Sequence, residues 1–482
     1  MKTGSVKANY ALNLINTVSG LLFPLITFPY ASRVLMAEGI GQVQFFDSII
    51  GYILLVTSLG IPLYAVRELA RVRGDLKERS KVATEIILLH AMLTFVAYII
   101  VFIIATTVTK VKADVPLFLL LSSSLLFTAI GVQWFYQAME DFKYITIRSI
   151  AIKALAAVAL FVFVKEKDDI LWYAAVNTGA SVGNNLFNFI RLRKHISLKG
   201  LSFGQLQIVR HLRPSLKLFA LNMIVSIYIL LDSVMLGFLS GEEAVGFYTA
   251  ANKLTRMSLG IVTSLGAVLL PRFSNYISTG RYDEFKELGG KAISFTAALV
   301  FPMTAGLVLL AEPVITVFSG PTYGPSVLTL QILAPVTIFL GFSGLLGMQM
   351  LYPQGKETLV MCASGAGALI NLIMNLLLIP HFAQWGAAFS SAMSECTVLV
   401  VILLLGYRYL PFRFFTKQNM VYLAGTALMS AAVLCVRMLD LQPFAELAVS
   451  MVTGVAVYAL FLIICKDHFV QVVFGILFKR KA

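Results

Sequence analysis

Long apolar runs, each about the length needed to cross a bilayer, recur along the whole chain between short polar and basic stretches. They predict fourteen transmembrane spans, at 9–32, 42–66, 83–108, 114–138, 145–164, 170–190, 215–239, 246–270, 289–311, 326–350, 358–380, 385–407, 419–438 and 444–465. A backbone facing lipid must satisfy its own hydrogen bonds, so every span is expected to be a helix. The fold class expected is an all-α integral membrane protein.

The basic residues test this reading. With the N-terminus inside, 29 of the 38 Lys and Arg fall in cytoplasmic segments. Six fall outside: Arg33, Lys110, Lys112, Lys165, Lys167 and Arg437. Three, Lys153, Lys253 and Arg256, fall within spans. That alternation predicts an N-in/C-in topology. The densest basic loops are 67–81 and 191–217. Composition agrees, with 59% hydrophobic residues, only 13% charged residues and a mean hydropathy of +0.85. A soluble enzyme, a secreted disulfide scaffold and a disordered chain are excluded. The net charge of +14 therefore reports topology rather than a nucleic-acid partner. Cys362, Cys396, Cys435 and Cys465 form no CxxC pair and read as packing residues. Lys2 and Lys7 lead directly into the first span without a small-residue cleavage site, so no cleavable signal peptide is expected.

A repeat divides the chain. Val56-Thr57-Ser58-Leu59-Gly60 recurs as Val262-Thr263-Ser264-Leu265-Gly266, and Gly41 before the second span corresponds to Gly246 before the eighth. The expected organisation is a six-helix lobe at 1–212, a second at 213–412, and two further helices with a basic cytoplasmic tail at 413–482. An even number of helices per repeat implies a pseudo-two-fold axis along the membrane normal, with a cavity between the lobes.

Polar groups inside the membrane mark either packing or a pathway. Asn9, Asn13, Asn16 and Gly20 share one face of the first span, which also holds Pro24 and Pro29 and is expected to kink there. Asn177, Ser181, Asn184, Asn185 and Asn188 form a similar stripe on the sixth. Each stripe reads as a lumen lined by sugar-binding amides or as interhelical hydrogen bonding. Arg33, Lys153, Lys253 and Arg256, with Asn252 beside them, are the candidate cationic site for an anionic substrate such as a phosphate or pyrophosphate. Asp47, Asp232 and Glu395 are candidates for ion pairs or ion coupling. No catalytic residue, metal site or cofactor is expected: there is no Walker A loop, HExxH or GxSxG, and the five histidines lack metal-ligand spacing. Transport would then draw on an ion gradient, the membrane potential or the substrate's own gradient.

Three groups of motifs carry a family resemblance. Phe28-Pro29-Tyr30-Ala31-Ser32-Arg33-Val34-Leu35 with Gly39-Ile40-Gly41 resembles the first-helix signature of bacterial polysaccharide flippases. Asp232-Ser233-Val234-Met235-Leu236-Gly237, followed by Val245-Gly246-Phe247-Tyr248 and Asn252-Lys253-Leu254, is similar to their seventh and eighth helices. Val317-Phe318-Ser319-Gly320-Pro321 and Leu330-Gln331-Ile332-Leu333-Ala334 resemble their outer loop and tenth helix. The family is the Wzx-type O-antigen and exopolysaccharide flippases of the multidrug/oligosaccharidyl-lipid/polysaccharide exporter superfamily. The resemblance implies translocation of an undecaprenyl-pyrophosphate-linked oligosaccharide between leaflets of the bacterial inner membrane by alternating access. Membrane lipids, and polysaccharide polymerase or assembly proteins, are the implied partners, and the last two helices would guide the polyprenyl tail. The rival readings are an ion-coupled multidrug or cation antiporter and, of a different class, a membrane-embedded polysaccharide-assembly enzyme or scaffold.

Overall fold

A computed structural model describes residues 6–197, 199, 203–263, 266–410 and 416–467. All regular structure among them is helical. The chain forms two compact units, Met1–Gly246 and Phe247–Ala482. The first contains α1 (Val6–Ser58), α2 (Ile61–Val72), α3 (Leu76–Thr107), α4 (Thr109–Lys112), α5 (Val115–Ile130), α6 (Gln133–Ala138), α7 (Phe142–Phe163), α8 (Ile170–Leu192) and α9 (Leu212–Leu239). Helix α10 (Glu242–Thr263) begins in the first unit and continues into the second. The second unit holds α11 (Gly266–Ser278), α12 (Tyr282–Leu309), α13 (Ala311–Ser319), α14 (Pro325–Leu333), α15 (Val336–Ser343), α16 (Glu357–Gly406), α17 (Lys417–Arg437) and α18 (Pro443–Ile464).

Nine stretches among the described residues are helical, long and apolar enough to cross a membrane. Some of them, such as Leu12–Val72 and Glu357–Gly406, are more than twice the length one crossing needs. The backbone breaks inside two long helices, at Met36 in α1 (φ 58°) and at Ala383 in α16 (φ 46°). Pro24 and Pro29 were expected to kink the first span, yet they stay within α1 and its non-helical residue is Met36. The expected fourth span, 114–138, is two helices, because Val132 between α5 and α6 takes a left-handed backbone. Gly131 precedes it, and a Cβ there would overlap the Asn185 amide oxygen. Residues 344–351 in the expected tenth span wind as a π-helix. Around it, a Cβ on Gly341 would crowd Val300, whereas one on Gly344 would meet nothing within 4 Å.

Three hydrogen bonds set the register of α1 against α7. Thr146 Oγ1 donates to the Leu12 carbonyl (2.9 Å), Lys153 Nζ donates to Ser19 Oγ (3.1 Å), and Tyr30 Oη donates to the Val164 carbonyl (2.7 Å). Each pair is 134 residues apart. A constant offset means that the two segments run side by side in the same direction. From Leu12 to Tyr30 the seam is about 27 Å long at 1.5 Å per residue, close to the thickness of a hydrocarbon core.

The repeated pentapeptide does the same work in each unit. Val56, Thr57 and Ser58 end α1, Leu59 and Gly60 turn with positive φ (40° and 68°), and the twelve-residue α2 follows. Val262 and Thr263 end α10, and Gly266 starts the thirteen-residue α11; Ser264 and Leu265 lie outside the described residues. Within the first unit, Gly41 and Gly246 are both points of backbone contact. A Cβ on Gly41 would overlap the Glu242 carbonyl oxygen, and one on Gly246 the Ala37 carbonyl oxygen. Small residues at such crossings allow helices to approach where lipid supplies no hydrophobic drive.

Aromatic and aliphatic side chains from α2, α3 and α6 form a core at one end of the first unit, around Ile61, Leu69, Ile86, Phe135 and Tyr136. The second unit centres on Phe273, Phe285, Ile293, Leu346 and Met350, and takes in Tyr422 and Leu462 from the last two helices. Tyr458 of α18 donates to the Ala298 carbonyl of α12 (2.9 Å), and Arg437 of α17 bonds Glu446 (3.0 Å) and Glu312 (3.1 Å). Residues 468–482, most of the expected basic tail, lie outside the described residues.

Gly41→Val and Gly246→Val each place a side chain where a carbonyl oxygen already lies. Both are expected to lower the melting temperature of the detergent-solubilised protein, at a cost of about 1–3 kcal/mol. Gly179→Ala adds a methyl that meets nothing within 4 Å and is expected to be neutral or stabilising. Equal melting temperatures for all three would show that the close approach is not required.

Candidate functional site

The polar stripe on α1 is where the first unit holds a cation in mid-span. Lys153, half-buried, reaches from α7 to Ser19 Oγ, and its Nζ lies 3.6 Å from where a Cβ on Gly20 would sit. Asn16 is on the same stretch of α1, half-buried, with an amide oxygen that no protein donor reaches. Asn13 is exposed, and the side chain of Asn9 lies outside the described residues. Arg33, near the end of the same straight segment, is exposed and donates to the Pro29 carbonyl (2.7 Å). Lys153 and the α1 stripe are therefore brought together, while Arg33 sits three to four turns further along.

On α8 the amide stripe divides. Asn177 and Ser181 are exposed, Asn184 is half-buried and Asn188 is fully buried. Asn184 is committed to packing: its oxygen accepts from Arg148 Nε (3.0 Å) and its nitrogen donates to the Ala180 carbonyl (2.8 Å). Asn177 bonds Tyr173, which also lies within electrostatic reach of Asp47. Asp47 is exposed. Asp232 is 4% exposed on α9 and lies within electrostatic reach of Tyr52 on α1.

Two charged clusters at the cytoplasmic end expected for this unit escape a span-by-span reading. In the first, Glu85 of α3 is fully buried and accepts from the Gln207 backbone N–H (2.7 Å), Arg210 Nη2 (2.6 Å) and His211 Nε2 (2.8 Å). His211 Nδ1 is 2.7 Å from the Tyr64 hydroxyl of α2. These bonds fasten the segment ahead of α9 onto α2 and α3. In the second, Arg191 pairs with Asp141 (2.8 Å) and lies 3.8 Å from the Tyr144 ring centre, and Arg148 lies 5.0 Å from the same ring. His195, beside this cluster, is held below the usual imidazole range by burial and by the neighbouring Arg191. A polar residue in the first turns of a span is the signal that could have revealed both clusters. By charge count alone, Arg148 groups with the cytoplasmic basic residues, and Glu85 reads as the edge of a basic loop.

In the second unit, Asn252 and Arg256 of α10 bond each other (Arg256 Nε to Asn252 Oδ1, 3.1 Å). Arg256 is exposed and Lys253 half-buried. Glu395 is 4% exposed on α16, near Ser394, whose hydroxyl donates to the Gly367 carbonyl (2.9 Å). Helices α12, α17 and α18 line an open apolar pocket of about 440 Å³, walled by Pro302, Met303, Gly306, Met429, Gly454 and Tyr458. Among the described residues no group of three His, Cys, Asp or Glu side chains is placed to hold a metal ion.

Comparison with known proteins follows the same outline. The family model described as "Polysaccharide biosynthesis protein" matches residues 6–277, and the MatE model matches 218–377. A protein named "Putative O-antigen transporter" in Shigella dysenteriae is 24% identical over 400 residues, covering 83% of this chain and 99% of that protein. A protein of the same name in Escherichia coli K12 is 22% identical, with 83% and 96% covered. Among solved structures, the lipid II flippase MurJ in an inward closed conformation superposes with a TM-score of 0.74 at 14% identity, covering 98% of this chain and all of that one. An inward-facing MATE multidrug transporter of the MOP superfamily superposes with a TM-score of 0.63 at 13% identity, covering 85% of this chain and 98% of that one.

Removing one member of a buried charged cluster strands the others. Glu85→Ala is expected to destabilise the protein by about 3 kcal/mol, read as a lower melting temperature in detergent. Arg71→Ala, exposed and paired only with Glu68 at 3.4 Å, is expected to change it little. A melting temperature unchanged by Glu85→Ala would mean that the latch contributes nothing.

Proposed function

We infer the function from one premise: the chain belongs to the polysaccharide biosynthesis protein family. It is a multi-pass membrane protein of the MOP transporter superfamily, a transporter rather than an enzyme. The reading these facts favour is a flippase for a lipid-linked glycan. The substrate proposed is an undecaprenyl-pyrophosphate-linked oligosaccharide, carried from the inner to the outer leaflet of the bacterial inner membrane by alternating access. The observation that carries it is Lys153, a half-buried cation held in mid-span against the hydroxyl of Ser19 beside the Asn16 amide. A cation kept there at a cost in desolvation suits a diphosphate, and the amides suit sugar hydroxyls.

The proposed topology keeps fourteen spans with both termini inside. The breaks at Met36 and Ala383 support it, because each falls where the apolar pattern separates two spans. The parallel course of α1 and α7 supports it too, since the first and fifth spans must cross in the same direction. Arg33, Lys153, Lys253 and Arg256 are proposed as cationic substrate contacts, and Asn13, Asn16, Asn177 and Asn252 as polar contacts. Asp47, Asp232 and Glu395 are proposed as ion-pair or coupling groups. The apolar pocket along α17 and α18 is proposed to take part of the polyprenyl tail.

Deleting the gene is expected to trap polyprenyl-diphosphate oligosaccharide in the inner leaflet. In proteoliposomes, Lys153→Ala is expected to cut head-group translocation about tenfold or more, with Lys153→Arg, which keeps the charge but binds phosphoryl oxygens more rigidly, falling between the two. Loss of rate is also expected for Lys253→Ala combined with Arg256→Ala. No accumulation on deletion, with efflux of cationic dyes that depends on Asp232 or Glu395, would replace the flippase by an antiporter.

A further inference from the structure

The most unusual charge in the first unit is Arg148. The residue is 7% exposed, yet among the described residues its hydrogen-bond partner is the neutral Asn184 oxygen (3.0 Å). The carboxylates around it are taken elsewhere. Asp141 pairs with Arg191 at 2.8 Å and also caps α7 through the Tyr144 N–H (3.3 Å), while Glu140 pairs with Arg73 at 2.8 Å. Among the described residues no carboxylate lies within ion-pairing distance of Arg148, so the Arg148–Arg191–Asp141 cluster holds one uncompensated positive charge inside the bundle. A buried guanidinium without a counter-charge is costly, and the usual compensation is an anion.

The same place holds further unused hydrogen-bonding groups. Among the described residues no acceptor reaches Arg148 Nη1, and both amide atoms of Asn188 and the Tyr144 hydroxyl are buried without a partner. Asn188 is fully buried and lies one turn beyond Asn184 on the same face of α8; Tyr144 lies one turn before Arg148 on α7. The set is rich in donors: a guanidinium fork, an amide and a phenol lie within about one turn of the Arg148–Asn184 bond on the two helices. Guanidinium forks match phosphoryl oxygens in geometry as well as in charge. The Tyr144 ring, with Arg148 and Arg191 stacked at 5.0 and 3.8 Å, fixes the guanidinium before any ligand arrives. The exposed Asn177 and Ser181, the half-buried Asn184 and the buried Asn188 make a continuous polar stripe leading to this place.

We propose that Arg148, with Asn188 and Tyr144, forms a binding site for a phosphoryl group between α7 and α8, distinct from the Lys153 contact five residues further along α7. The phosphoryl group belongs either to a polyprenyl diphosphate or to a phospholipid head group. The site itself stands on the uncompensated charge; only the first of these sources rests on the flippase reading.

The test uses the full chain purified in detergent, titrated with geranylgeranyl diphosphate and with inorganic pyrophosphate. The same chain in phosphatidylcholine nanodiscs, with and without phosphatidylglycerol, is examined by native mass spectrometry for retained lipid. Arg148→Gln is expected to weaken diphosphate binding about tenfold or more, with Arg148→Lys intermediate. Asn188→Leu separates ligation from folding. It removes a buried amide without protein partners, so its melting temperature is expected to equal or exceed that of the parent chain, while its diphosphate affinity falls several-fold. If Arg148→Gln fails to fold, Asn188→Leu decides alone. Loss of retained phosphatidylglycerol in these variants, with diphosphate affinity unchanged, would assign the site to a phospholipid head group. Unchanged binding of every probe in both variants would overturn the proposal and leave the cluster a packing device. Translocation lost through Lys153→Ala is a separate readout, so failure of this site and failure of the flippase reading are distinguishable.

Discussion

The register of α1 against α7 is the constraint on which the first unit depends. Lipid offers no hydrogen bonds, so every polar side chain in a span must be met by a neighbouring helix or a hydrated space. Three bonds at a constant offset of 134 residues meet that demand along a seam about as long as the membrane is thick. Two of them tie side-chain hydroxyls, Thr146 and Tyr30, to carbonyls, which any neutral helix pair could do. The third carries a charge. Because the outer two bonds fix the sliding position of the helices, Lys153 has little choice of partner: it arrives at Ser19 and Gly20, where a larger residue than glycine would narrow the space around its ammonium.

The apolar helices were legible in the sequence because hydrophobic length is a strong signal; the particular residues at which the backbone turns were not. Met36, Ala383 and Val132 all take positive φ, and none is the glycine, asparagine or aspartate that usually advertises it. Pro24 and Pro29 keep helical backbone inside α1, since a proline's lost donor can be tolerated in a helix whose neighbours re-satisfy the backbone, and the non-helical residue is Met36 instead. The short helices α2 and α11 were absorbed into longer apolar spans, since twelve or thirteen amphipathic residues beside a span look like its continuation. The repeated pentapeptide nevertheless marked where each begins, and Gly41 and Gly246, paired from the sequence alone, both turned out to be places where backbone meets backbone.

Site residues divide along a similar line. A lone cation deep in an apolar run, such as Lys153, is visible from composition. Arg148 lies only about two turns from its helix start, where arginine is ordinary, and its burial comes from Tyr136, Tyr144 and α8, which no local pattern connects. Glu85 is hidden for the same reason: its partners are more than a hundred residues away, in the segment before α9. The asparagine stripes sorted themselves by depth. On α8 Asn184 is spent on holding Arg148, which is the packing role, while Asn177 and Ser181 at the other end are exposed.

The two cations on α7 differ in a way that bears on movement. Arg148 is planar, stacked on an aromatic ring and locked by Asn184; a phosphoryl group meeting it gains paired, directional bonds and is held in place. Lys153 is a point charge on a flexible stem with a single hydroxyl contact, so it can follow a phosphoryl group over a range of positions without losing its attraction. The two side chains are five residues apart, about 7.5 Å along the helix axis. If both bind phosphoryl groups as proposed, that spacing puts a holding site and a passing site on one helix. An arginine at both positions would deepen both wells and slow release. A lysine at both would give attraction without orientation. The order found, a fork in the closed seam and a mobile charge in mid-span, is what a carrier needs if it must first select a phosphorylated head group and then let it go.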